Sequence, residues 1–201
     1  MHHPGASPTS NKELDMTGIF AHWLPILLAS ILVFFASSVI HMGPFWHKGD
    51  FSTVPNETQL RAALRPFDIP PGDYCVPRPA SSEDMKSPEF AQKVLQGPNI
   101  VMTVMPNAPW SMGRNLGLWL LYCVAASIFA AYVTVHAVPS GVPYGELLRF
   151  SSTTAFIAYA VALWQMSIWY RRAWSVTLKA TLDGLIYAGI TAVTFGWLWP
   201  R

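Results

Sequence analysis

Four stretches of about 20 residues, each nearly free of charge, leave this chain few ways to fold. A helix that crosses a bilayer needs roughly 20 mostly apolar residues. In hydrocarbon there is no water for the backbone, so each segment must pair its own N–H and C=O groups. The stretches run from Ile19 to Ile40, from about Leu116 to His136, from about Phe150 to Tyr170 and from about Ala180 to Trp199. No Lys, Arg or Glu interrupts them, and Asp183 falls in what reads as the first turn of the fourth. Composition agrees, with 12% of residues charged against about 25% in soluble domains. Nine Trp and seven Tyr suit the aromatic belts that form at headgroup depth.

The first stretch is longer than the core of a cleaved signal peptide, about 7–15 residues. The tail before it is not basic, since Glu13 and Asp15 outweigh Lys12. It therefore reads as a retained anchor over 19–40, preceded by a disordered tail over 1–18 that includes His2 and His3. The links between the later stretches are short, one rich in Pro and Gly and one centred on Arg171, Arg172 and Trp174. Short links make consecutive helices antiparallel neighbours. The expected fold is all-α: a four-helix antiparallel transmembrane bundle, with helices two to four inside 114–201. In the last helix Gly184, Ala188, Ala192 and Gly196 recur every fourth residue. Small residues let backbones approach where lipid supplies little hydrophobic drive. That stripe predicts either packing inside the bundle or a docking face for another chain.

Residues 41–113 are too many for a mere connector, and they predict a small α/β subdomain between the first two helices. Asn56 with Gln59 resembles a capping box that opens a helix through Leu64. Ser87–Pro88–Glu89 is a second helix start, with Gly97 as its stop. Tyr74–Val76 and Ile100–Met105 read as short strands. Such a loop buries only a small core and is expected to depend on the bundle. Lys and Arg crowd its side of the membrane, which predicts a cytoplasmic loop by the positive-inside rule.

One series of motifs runs through the chain. It comprises Val54–Pro55–Asn56–Glu57, Pro70–Pro71–Gly72–Asp73–Tyr74, Met85–Lys86–Ser87–Pro88–Glu89, Gly97–Pro98, Thr103–Val104–Met105–Pro106, Met112–Gly113–Arg114–Asn115–Leu116 and the closing Gly196–Trp197–Leu198–Trp199–Pro200–Arg201. Together these resemble a family of small bacterial inner-membrane proteins to which no activity is attached. The resemblance implies a multi-pass protein of the bacterial inner membrane and implies no catalytic residue.

Three groups of residues carry possible chemistry. His41 and His47, with Met42, Met102, Met105 and Met112, combine imidazole and thioether ligands that suit copper. Their spacing matches no standard motif, and Met is also a routine packing residue. His22 and His136 fall on one side of the membrane and could bridge a haem or metal, though polar rings near the headgroups need no partner. Arg114, Arg171, Arg172, Lys179 and Asp183 form a charged cluster at the interface, where Asp183 could pair with Lys179 one turn away or equally accept from an arginine, and the basic groups face anionic lipid. Cys75 and Cys123 offer neither a metal spacing nor an expected disulfide. Enzyme signatures such as the nucleophile elbow or the phosphate loop are missing. A net charge of +2 without a basic tract argues against nucleic acid.

These observations predict a non-enzymatic accessory or scaffold component of a membrane assembly, with no cofactor. Membrane lipid is its first partner, alongside another membrane protein or a second copy. A small transporter acting as an oligomer is the alternative, and metal or haem handling the second.

Overall fold

The computed structural model describes residues 21–43, 46–109, 111–138 and 143–199. The tail over 1–18, with His2 and His3, lies outside the described residues. The chain divides into two compact units, 1–51 with 111–201 and 52–110.

The first unit holds helices α1 (Trp23–Met42), α4 (Met112–Ala137), α5 (Tyr144–Tyr159), α6 (Trp164–Tyr170) and α7 (Trp174–Leu198). The loop unit holds α2 (Glu57–Leu64), α3 (Pro88–Gln96), β1 (Gly72–Val76) and β2 (Ile100–Val104). Four segments are long and apolar enough to cross a membrane: α1, α4, α5 through α6 (Tyr144–Tyr170), and α7. By length and composition the chain is therefore a multi-pass membrane protein. α1 packs on α4 and α7, and α5 packs on the same two helices, so the four spans close into a ring. Val33, Cys123, Ala155 and Ala188, one from each span, meet in one core cluster. Phe195 anchors a second cluster with Ile26, Ala29, Ala130 and Leu147.

Several hydroxyl groups inside the spans are satisfied locally, whereas Ser127, Tyr159 and Tyr187 bury theirs without a hydrogen-bond partner. Ser30, Thr134, Ser151 and Thr191 each donate to the carbonyl four residues earlier, at 2.6–2.9 Å. In an apolar surround this is the cheapest partner a Ser or Thr can find. Ser30 also reaches across to the Cys123 carbonyl of α4 at 3.3 Å. Trp119 Nε1 donates to Ser37 Oγ at 2.6 Å, tying α4 to α1.

The small-residue stripe of α7 is buried along its whole length. A Cβ at Gly184 would come within 2.6 Å of Ala160 Cβ, and one at Gly196 would meet the Tyr144 ring. The stripe is thus used inside the chain, against α5 and the residue after it. Gly189, at an exposed position of α7, has open space where a Cβ would stand.

Two features of the spans differ from the sequence expectation. The fourth helix starts at Trp174, six residues before the apolar run, so Asp183 lies in its third turn and not its first. The third span is not continuous. α5 ends at Tyr159, Ala160 leaves helical geometry at φ −123°, and a 3-10 turn over Val161–Leu163 leads into α6. No Pro or Gly marks the break. Ala160 is fully buried against Gly184, and Tyr122 donates its hydroxyl to the Ala158 carbonyl at the break. Irregular backbone in a membrane span is tolerated where protein covers it.

In the loop unit, β1 and β2 pair antiparallel from Gly72 opposite Val104 to Val76 opposite Ile100. α3 begins as expected, with Ser87 Oγ accepting from Phe90 N at 3.0 Å, and stops at Gly97, whose φ of 60° suits glycine. Asn56 does precede α2, but it stands at φ 53° and its side chain caps nothing. None of the described residues of this unit is buried. Residues 41–51, expected as the start of the loop, belong instead to the bundle.

Substituting Ala for glycine separates a packed face from an open one. Gly184→Ala should cost about 1–3 kcal/mol through overpacking. Gly189→Ala should be neutral or slightly stabilising, since Ala favours a helix by up to about 1 kcal/mol. Thermal unfolding of the purified chain in mild detergent reads both, and equal effects would contradict the packing described.

Candidate functional site: a polar cluster at one end of the spans

The end of α1 and the turn that follows bring ionisable groups onto α7. His41 is in the last turn of α1, with Nδ1 3.0 Å from the Ser37 carbonyl. A carbonyl only accepts, so Nδ1 carries the proton and Nε2 is left with the lone pair. The 3-10 turn Trp46–Gly49 then sets His47 beside His41, their rings stacked at 4.4 Å with planes 10° apart.

His47 faces carboxylates on both sides. Nδ1 donates to Asp50 Oδ2 and Nε2 to Asp183 Oδ2, each at 2.7 Å. Asp183 also accepts at Oδ1 from Trp46 Nε1 at 3.1 Å. The other oxygen of Asp50 accepts from Lys179 Nζ at 2.8 Å. The chain of contacts therefore runs Lys179–Asp50–His47–Asp183–Trp46. Burial raises the cost of a charge on Asp50, but hydrogen bonds from His47 and Lys179 outweigh it and hold that carboxyl below its ordinary range. Asp183 is 3% exposed, so its charge is compensated by these partners and not by water.

Among the described residues, His41, His47 and Asp183 form the group whose ligand atoms all lie close enough to hold a metal, within 4.8 Å of one another. His41 and Asp183 also line a cavity of about 460 Å³ reached by all four spans, with Met42, Met112, Trp119, Leu163 and Tyr187 among its walls.

The structure distributes the sequence candidates unevenly. His41 and His47 come together with their rings stacked, and Met42 and Met112 line the cavity with His41. Met102, opposite Tyr74 on β2, and Met105, just beyond β2, belong to the loop unit. Of the charged cluster, Lys179 pairs with Asp50 and Asp183 with His47, so the expected Lys179–Asp183 pair is replaced. Arg114, Arg171 and Arg172 are exposed. His22 is buried with its ring on Trp199 at 4.0 Å, while His136 is exposed on Tyr132. Cys75 and Cys123 are both unbridged. Asp50 and Trp46 were not singled out from the sequence. The spacing His47–Asp50, one helical turn, was the available signal.

Comparison with protein-family models, curated proteins and solved structures finds no match. Function must be argued from the site alone.

Removing one partner of a buried pair strands the other. Asp183→Asn should destabilise the chain by about 3 kcal/mol and raise amide exchange across residues 46–50. Arg171→Ala and Arg172→Ala, at exposed positions, should stay within about 0.5 kcal/mol. Unchanged exchange at 46–50 in Asp183→Asn would mean that the turn is not held by this network.

Proposed function

We propose that this chain is a metal-binding membrane protein. A divalent first-row ion is held by His41 Nε2, His47 Nε2 and Asp183 Oδ2 at one end of an antiparallel four-helix bundle. The observation that carries this reading is the convergence of one ligand atom from each of these three residues within 4.8 Å. Each ligand is also oriented through its other polar atom: His41 by the Ser37 carbonyl, His47 by Asp50, Asp183 by Trp46. Such outer partners fix the tautomer and raise the basicity of metal ligands.

Charge supports the same reading. Asp50 and Asp183 against Lys179 leave one negative charge when both imidazoles are neutral. A cation between His47 and Asp183 offsets it, whether the shared proton or a metal that displaces that proton. The edge of a tetrahedron with bonds of about 2.0–2.1 Å is about 3.3 Å, so binding closes the wider ligand spacings and parts His47 Nε2 from Asp183 Oδ2, which stand 2.7 Å apart. Two imidazoles and a carboxylate suit zinc or ferrous iron better than Cu(I), which prefers sulfur. Three protein ligands also leave a coordination position open. The accessory-protein reading rests on the loop subdomain together with the small-residue face of α7. That face packs on Ala160 and Tyr144 of the same chain and lends that reading no separate support.

Cobalt(II) is the direct probe, because its visible spectrum reports coordination. The purified chain should bind one cobalt per molecule, competed by zinc, and His47→Gln or Asp183→Asn should lose it. Met102→Leu and Met105→Leu should bind as the parent does. Equal binding by Asp183→Asn, or loss in Met102→Leu, would overturn the assignment. Asp50→Asn, which leaves the ligands in place, should weaken binding roughly 10–100-fold.

The reading extends to orientation in a bacterial inner membrane. Basic residues at the Arg171–Arg172 connection and at Lys179 favour the cytoplasmic face for this end. Cys75 is exposed and Cys123 buried, so Cys75 reports the side of the loop. A membrane-impermeant maleimide should label it in inverted vesicles and not in intact spheroplasts, and the reverse pattern would invert the topology.

A further inference from the structure

The cavity beside the cluster has a polar end and an otherwise apolar wall. His41 and Asp183 are at its polar end, and Met42, Met112, Leu116, Leu163 and Ala180 supply hydrocarbon and thioether surface. The serine hydroxyls that border it have given their protons to the helix backbone. Ser37 and Ser38 both donate to the Phe34 carbonyl at 2.8 Å, and Ser37 also accepts from Trp119. Tyr159 and Tyr187 also line the space, and their hydroxyl oxygens are buried from solvent without a hydrogen-bond partner. A volume of about 460 Å³ lies within the range of small-molecule sites, about 300–1,000 Å³. The break after Tyr159 places Leu163 in the wall, in keeping with irregular backbone that lines a cavity.

We propose that this space receives an amphiphile whose oxygen headgroup coordinates the ion at His41, His47 and Asp183 and whose hydrocarbon tail fills the cavity. The inference rests on the metal-binding reading and names the ligand class of the same site. A wholly polar ligand would lie against a wall that is mostly hydrocarbon and thioether. A pure hydrocarbon leaves the polar end unmet, and burying that end without a partner is costly. Only a molecule with one polar end satisfies both. The spans are set in lipid, so such a molecule has a ready source in the bilayer itself.

Hydroxamates of two lengths test this on the full chain loaded with cobalt, read from the cobalt spectrum. Acetohydroxamate carries the coordinating head alone, and octanohydroxamate adds the tail. The longer compound should bind at least about 100-fold tighter, because each buried methylene adds to affinity. Ala180→Phe, which fills the cavity, should retain cobalt and bring the two affinities within a few-fold of each other. Equal affinity for both compounds in the parent overturns the proposal. So does a chain-length advantage that survives in Ala180→Phe, since this marks simple partition into detergent. Both results leave metal binding standing. A chain that binds no cobalt removes the metal reading and this inference together.

Discussion

A carboxylate in the third turn of an apolar helix sets the terms for this structure. Asp183 is nearly inaccessible to water, and an isolated buried charge is far more costly than any single packing contact can offset. The surrounding residues read as the answer to that cost. Trp46 and His47 donate to its two oxygens, and both come from one short turn after α1. That turn must dock on α7 for the donors to reach. Asp50, four residues after Trp46, then brings in Lys179 from α7 itself, so the turn is fastened at two points.

The spans obey the same rule at lower stakes. Several of their hydroxyls find carbonyls within the helix, and their close approaches occur where a side chain is missing. Gly184 admits Ala160, and the backbone leaves helical geometry at the residue it admits. The break and the glycine are thus one feature seen from two helices. Together with the polar cluster they frame a cavity that is apolar along its sides and charged at one end. The proposed amphiphile and cation are matched to those two ends.

Much of the architecture was legible because bilayer thickness writes itself into sequence as runs of apolar residues. Four such runs marked four spans, and the cap at Ser87 with the stop at Gly97 marked α3 to the residue. The limits of the apolar runs misled where polar residues lie inside a helix. Trp174 to Lys179 looked like an interface, so Asp183 was placed at a helix start, where its charge would be cheap. The break after Tyr159 left no mark, since it depends on Gly184 across the bundle and no local Pro or Gly produces it. His41 and His47 were visible as ligand types. Their third partner lies 136 residues beyond His47, and no short motif records a pairing that only helix packing creates. Met102 and Met105 drew attention as ligand types near a helix end in sequence, and they belong to the other compact unit.

X-ray absorption at the zinc edge of the zinc-loaded chain tests the account most directly, because it counts the donor atoms around the ion. The account predicts a first shell of nitrogen and oxygen alone at about 2.0–2.1 Å, with outer-shell scattering from two imidazoles. Sulfur scatterers near about 2.3 Å, or scattering from a single imidazole, would contradict it, for then His41, His47 and Asp183 do not form the site.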